Sequence, residues 1–262
     1  SINYETSNFQ WTSSFTFSRN RNELKELLGF DLDGDGKEDD LISEKLFIGE
    51  PLNTIYDYHT TGELWQLGEE IPSSSDLGTF KITDLNNDGD IDPENDRKII
   101  GYNEPSFRFG LNNKLKYKNW IFSFFLNSVQ GSNKFYLGKD DFRSFNSPSE
   151  MLFTRTFPSG IDYWLPENPD ARYQKLYIFP TIEATRYIPR SFVRLQDISL
   201  SYNFSNEFLN KFNIESLRIF FNGKNLATWT NWTGWDPETG QGITVGGRPV
   251  LKSYSFGIDV KF

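Results

Sequence analysis

Val250-Leu251-Lys252-Ser253-Tyr254-Ser255-Phe256-Gly257-Ile258-Asp259-Val260-Lys261-Phe262 closes the chain with an apolar/polar alternation that runs to a terminal aromatic. Successive side chains of a strand point to opposite faces. Tyr254, Phe256, Ile258, Val260 and Phe262 therefore share one face, and Ser255, Gly257, Asp259 and Lys261 share the other. A stripe that is apolar over its whole length needs an apolar partner over its whole length, and the partner that fits is lipid.

Working back from that strand, Leu217 to Trp229 is a second candidate, with Leu217, Ile219 and Phe221 in phase. Phe192 to Phe204 is a third, with Ile198, Leu200, Tyr202 and Phe204 alternating against polar residues. Trp120 to Ser128 and Phe107 to Tyr117 follow, separated only by Lys118 and Asn119, the length of a two-residue hairpin turn. Phe9 to Ser18 completes six clear strands. Their connections differ by side. Lys118-Asn119 and 205–215 are short, whereas 20–104, 130–190 and 230–249 are long and polar. Short turns on one side and long loops on the other is the habit of an outer-membrane barrel, whose long loops are extracellular. A soluble β-sandwich also alternates, but it buries its apolar face against a second sheet and rarely carries excursions of this length.

Composition agrees with this reading. Aromatics make up 17% of the 262 residues, with 25 Phe, 12 Tyr and 7 Trp but one Met, which favours strands and interfacial belts. No stretch approaches the roughly 20 apolar residues of a membrane helix. A negative mean hydropathy is no objection, because each lipid-facing residue of a barrel strand is followed by a polar one. A net charge of -9 argues against nucleic acid as a partner. The absence of Cys removes thiolate chemistry, thiolate metal sites and disulfides. The start, Ser1 to Ser7, has neither the basic nor the apolar region of a signal peptide.

Two acidic loops carry the pattern of a calcium loop, with oxygen ligands at positions 1, 3 and 5 and Gly at 6. The stronger is 84–96, with Asp84, Asn86, Asp88, Asp90, Asp92 and Asp96 as candidate ligands. Its position 12 is Asn95 and Asp96 stands one step later, which leaves the closing ligand open. The weaker is 31–40, with Asp31, Asp33, Asp35 and Asp39, where Ile42 occupies position 12 and Asp39 or Asp40 would have to substitute. The expected ion is a structural Ca2+, and no organic cofactor is expected.

Catalytic constellations are lacking. His59 is the only histidine, no Ser-centred elbow accompanies it, and the acid pairs Glu69-Glu70 and Asp140-Asp141 read as solvated loop charge. Gly240-Gln241-Gly242 opens no helix after a strand, so it is not a phosphate cradle. No enzyme activity is expected. Trp229, Trp232 and Trp235 are possible ligand-facing aromatics, although an interfacial belt or loop packing is the commoner use of such a cluster.

Several stretches, in order, resemble the C-terminal region of the SusC/RagA family of TonB-linked outer-membrane transporters. They are Asp84 to Asp92 with Asp96-Arg97 and Ile100-Gly101; Pro105-Ser106-Phe107-Arg108-Phe109-Gly110 with Leu115 to Asn119; Ser191 to Tyr202; and Gly223-Lys224-Asn225-Leu226-Ala227-Thr228 with Gly234-Trp235-Asp236-Pro237-Glu238. The resemblance implies an all-β fold: an antiparallel transmembrane β-barrel segment, residues 1–262 being the C-terminal part of a 22-stranded barrel with long extracellular loops. It implies import of glycan or peptide nutrients across the outer membrane of a Gram-negative bacterium. The implied partners are the rest of the barrel and a plug, on the same or a separate chain, a SusD-like surface lipoprotein, TonB through the N-terminal part, and the lipid bilayer. It also implies that Phe262 serves as the assembly signal. The competing expectation is a secreted, calcium-stabilised β module that binds carbohydrate.

Overall fold

A computed structural model describes residues 1–31, 34–131, 136–140, 160–176, 180–240 and 248–262. Among the described residues run thirteen strands: β1 Ile2–Glu5, β2 Phe9–Ser18, β3 Thr54–Tyr58, β4 Thr60–Leu64, β5 Phe80–Ile82, β6 Arg97–Tyr102, β7 Phe107–Tyr117, β8 Trp120–Gln130, β9 Leu137–Lys139, β10 Tyr187–Pro189, β11 Phe192–Asn203, β12 Ser216–Thr230 and β13 Ser253–Lys261. Seven form one sheet in the order β1-β2-β7-β8-β11-β12-β13, with every pair antiparallel. All six strands read from the sequence are in it. The seventh, β1, is four residues long, too short for periodicity to announce.

Connection lengths divide by end. The turn between β1 and β2, Lys118-Asn119 between β7 and β8, and 204–215 between β11 and β12 lie together. Lys118 N–H donates to the Asn8 carbonyl (2.8 Å) and Asn203 N–H donates to that of Asn119 (3.0 Å). The three long excursions leave from the opposite end. Lys118 takes the left-handed φ of 50° that this tight hairpin requires.

The excursions are not shapeless. The first contains β3 paired with β6 and β4 paired with β5. Leu64 and Phe80 from it join Trp164, Ala171 and Ala184 from the second in one buried cluster. Trp164 is 1% exposed and donates from Nε1 to Gln66 Oε1 at 3.0 Å. Its ring lies against Gly78, where an added Cβ would come within 2.7 Å of it and where φ is +80°. Tyr187 donates to Asp57 (2.8 Å), and Asp140 of the second excursion accepts from Arg172 (2.9 Å) and from Thr233 of the third (2.9 Å). The long connections thus form a cored crown over one end of the sheet.

Candidate functional site

The sheet separates two chemistries. One face is apolar from β1 to β13. Trp11 and Phe15 of β2 align with Leu115 and Leu111 of β7, which align with Phe122 and Leu126 of β8. Leu200 of β11 and Phe221 and Ile219 of β12 continue the face to Phe256 and Ile258 of β13. Much of this surface is open: Phe15, Phe17, Tyr254, Phe256 and Ile258 are each more than half exposed. A polar residue within it is satisfied locally, since buried Asn113 accepts from Trp11 Nε1 at 2.9 Å.

The opposite face is polar. Ser14 and Thr16, Arg108, Lys114 and Lys116, Ser123 and Asn127, Arg218, Asn222 and Lys224, and Ser255 and Asp259 lie on it. The seven strands carry seven Lys or Arg against three acids, net +4, while the whole chain is -9. Acid is therefore concentrated in the connections, some of which return it to the sheet: Asp236 and Glu238 pair with Arg194, and Glu215 pairs with Lys261. Aromatics on this wall lie over neighbouring glycines. Phe220 covers Gly257 and Phe125 covers Gly110, so a side chain at either glycine would collide with a ring.

A bulge sorts one residue that strict alternation would misplace. With Ile198, Leu200 and Tyr202 on the apolar face, uninterrupted parity puts Arg194 there too. Between Asp197 and Leu195, β11 takes two steps where β8 takes one, Phe125 to Leu126. Gln196 is the extra residue, and Arg194 turns to the polar face opposite Asn127 and Thr228. There it is 4% exposed, ion-paired to Asp236 and to Glu238 (2.7 Å each) and hydrogen-bonded to Thr228 Oγ1 (3.1 Å). That cluster ties the base of the third excursion to the sheet.

The acidic loops are organised mainly by their own backbone. In 84–96, Asp84 accepts N–H groups from Asn87 (2.6 Å) and Gly89 (2.9 Å), and Gly89 sits at φ 87°. Asp88 accepts from Asp90 N–H (2.8 Å) and Asn86 donates to Asp88 (2.7 Å). Asp96, fully buried, accepts from Leu85 N–H (2.7 Å) on one oxygen and from Asp92 N–H (2.8 Å) on the other. Asp92 accepts from the side chain and the backbone N–H of Asn95, and those bonds hold its carboxyl below the usual carboxylate range. In the first loop Asp31 accepts from Gly34 and Gly36, and Asp35 from Lys37 N–H. Asp39 donates its N–H to the Phe30 carbonyl. Asp33 lies outside the described residues. Backbone hydrogen bonds from Gly29 and Leu27 lower the Glu38 pKa, and Asp40 takes the N–H of Ile48. Among the described residues, no three His, Cys, Asp or Glu side chains are drawn together closely enough to hold a metal.

The three tryptophans part company. Trp229 aligns with Val193 on the apolar face and is 57% exposed, Trp232 is buried against Gly138, and Trp235 is partly exposed. Trp235 borders an open cleft of about 280 Å³ with Arg194, Trp232 and Lys252. Phe262 is exposed just past β13. His59 meets Thr83 Oγ1 at 2.9 Å, and partial burial, helped by Lys98, pushes its pKa below the ordinary value. Glu69 is held by Lys81 (2.6 Å) and the Gln66 N–H, and Asp141 lies outside the described residues. Sequence reasoning missed the Asp140 and Arg194 clusters. The adjacent polar pair Gln196-Asp197, interrupting the alternation, was the available signal for the second.

No family model matches the chain. It is 29% identical over 287 residues to TonB-dependent receptor P3 of Formosa agariphila, covering all of this chain and 28% of that protein. Against TonB-dependent receptor P26 of the same organism the identity is 28% over 283 residues, covering 99% and 28%. Against TonB-dependent receptor SusC of Bacteroides thetaiotaomicron it is 24% over 272 residues, covering 98% and 25%. The chain thus spans about a quarter of the length of the curated relatives it matches. Among solved structures, the RagAB peptide importer in its open-open state superposes with a TM-score of 0.66 at 18% identity, over all of this chain and 27% of that one. The RagAB peptide transporter gives 0.64 at 21%, over 100% and 28%. By sequence along its whole length and by fold, the chain is similar to the C-terminal barrel region of SusC/RagA-type TonB-dependent receptors.

Proposed function

We propose that this chain forms the C-terminal part of the barrel of an outer-membrane, TonB-dependent importer, which takes up glycan or peptide nutrients with a SusD-like surface lipoprotein. The observation that carries the reading is the exposed apolar face, continuous across seven strands and backed by a polar one. In water such a face would be a large aggregation surface; in a bilayer it is the lipid-facing wall. The crown end is then extracellular and the short-turn end periplasmic. The outer edges of β1 and β13 have no partner strand among the described residues. Unsatisfied backbone groups in hydrocarbon cost several kcal/mol each, so further strands must close the wall. Those strands, the plug and the TonB contact belong to parts of the assembly beyond these residues.

Fractionation of cells producing the whole receptor tests the reading. The chain should sediment with outer membranes, resist carbonate extraction, dissolve only in detergent and shift in gel mobility on boiling. Solubility without detergent as a monodisperse species would overturn it in favour of a secreted β module. Phe262, as the terminal aromatic of the last strand, is the proposed assembly signal, and its deletion should lower the folded, heat-modifiable fraction. For calcium, the 84–96 loop is the proposed site, on the ligand order Asp84, Asn86, Asp88 and the left-handed Gly89. Its failure would read as protease sensitivity of that loop unchanged by a chelator.

A further inference from the structure

The apolar face does not stop where the sheet stops. At the short-turn end, Trp120 lies 4.8 Å from Tyr202, Tyr202 5.0 Å from Phe204, Phe204 5.0 Å from Phe208, and Phe208 5.2 Å from Phe212, ring centre to ring centre. The first three belong to the end of the wall. The last two stand on the connection between β11 and β12, which coils into a single helical turn, Asn206–Leu209, and a 3-10 turn, Asn210–Phe212. Phe208 and Phe212 are four residues apart and so share a side of the coil. Leu209, 4% exposed, roots the coil from its other side, and Asn213 ends it at a left-handed φ of 54°. Phe208 is 39% exposed and Phe212 60%. A periplasmic turn bathed in water has no reason to display two phenylalanines stacked onto a lipid-facing ladder.

We propose that this connection is a membrane anchor, with Phe208 and Phe212 seated at the headgroup and acyl boundary of the periplasmic leaflet. The occupant is lipid because the ladder is continuous with the apolar wall, and rings at such a boundary are favoured by the same balance that builds aromatic girdles. The inference rests on the barrel reading and fixes the height of the wall. The interface lies level with the turn, and β11 and β12 are immersed to their periplasmic ends.

The chain has no cysteine, so single cysteines can be placed by design. In the full-length receptor in phospholipid vesicles, Phe212→Cys and Phe208→Cys would carry an environment-sensitive fluorophore, with Phe221→Cys on the wall and Lys211→Cys on the turn as references. The anchor predicts blue-shifted emission at 212 and 208, quenching by nitroxide lipids labelled near the headgroup, and loss of quenching by aqueous iodide. Iodide quenching at 212 equal to that at 211, or shielding from both quenchers as under a protein partner, would overturn it. Quenching at 221 by nitroxides on the acyl chain, with none at 212 by nitroxides at the headgroup, refutes the anchor alone, and absence of quenching by either label at both positions refutes the barrel reading itself.

Discussion

Replacing Asp96 by Ala strips both oxygens from two backbone donors at once, Leu85 N–H at 2.7 Å and Asp92 N–H at 2.8 Å, around a side chain with no solvent exposure. Losing a charged acceptor from a buried donor costs about 1–3 kcal/mol per bond, so the pair bounds the effect at roughly 2–6 kcal/mol. Leu85 and Asp92 are themselves half-buried, so their freed N–H groups reach some water and the lower part of the range applies, about 2–3 kcal/mol. At 1.4 kcal/mol per tenfold, local opening of the loop should rise by about 30- to 150-fold. Hydrogen exchange of the 84–96 peptide in the intact receptor reads that number directly. Asp96→Asn keeps one acceptor oxygen but turns an amide donor toward the second N–H, and should fall between wild type and Ala. Exposed Asp90→Ala should change little. Unchanged exchange in Asp96→Ala would refute the assignment of this carboxylate as the clasp of the loop.

Gly78→Ala places a methyl against the Trp164 ring at a φ of +80°, so strain and overpacking together should cost about 2–4 kcal/mol in the crown, seen as faster proteolysis of 160–176 with the barrel intact. Arg194→Met leaves Asp236 without its cation in a nearly buried site; breaking such a pair costs about 3–5 kcal/mol, and the 231–240 segment should lose exchange protection while Arg194→Lys retains part of it. His59 has a folded pKa below 6.5, so the unfolded state takes the proton first. Local stability around β4 and β5 is full above pH 6.5 and declines as pH falls from 6.5 through the folded pKa, and His59→Gln should abolish that dependence of exchange.

Strand positions were legible because one physical demand, an apolar side chain at every second residue, governs them without tertiary help. Phe107 to Tyr117 and Phe9 to Ser18 came out with the boundaries the sheet has. The side assignment of turns was legible for the same reason, since Lys118-Asn119 leaves room for nothing but a hairpin. What escaped were features set by long-range packing. β4 and β5 are short segments packed against Trp164, some hundred residues away from Leu64, and no local pattern reports that. The bulge at Gln196 is visible only as a polar pair, and its consequence for Arg194 emerges only when β8 supplies the register. Asp96 stood out as an acid of the loop but not as a backbone clasp, because the N–H groups it meets are eleven and four residues away. Phe208 and Phe212 sit in a stretch that sequence length alone marked as a turn, and their role depends on the ring ladder that Tyr202 and Phe204 extend to them.

If one face of this sheet meets lipid and the other a polar lumen, the two must differ residue by residue in what reaches them. A nitroxide scan of single cysteines from position 253 to 261, in the full receptor in bilayers, measures that difference on the strand where the alternation is most complete. A lipid-facing stripe gives a period of two: oxygen accessibility maximal at 254, 256, 258 and 260, and accessibility to a water-soluble nickel chelate never exceeding it there. Accessibility without that alternation, or nickel access at Phe256 and Ile258 matching that of a water-exposed loop, would contradict it.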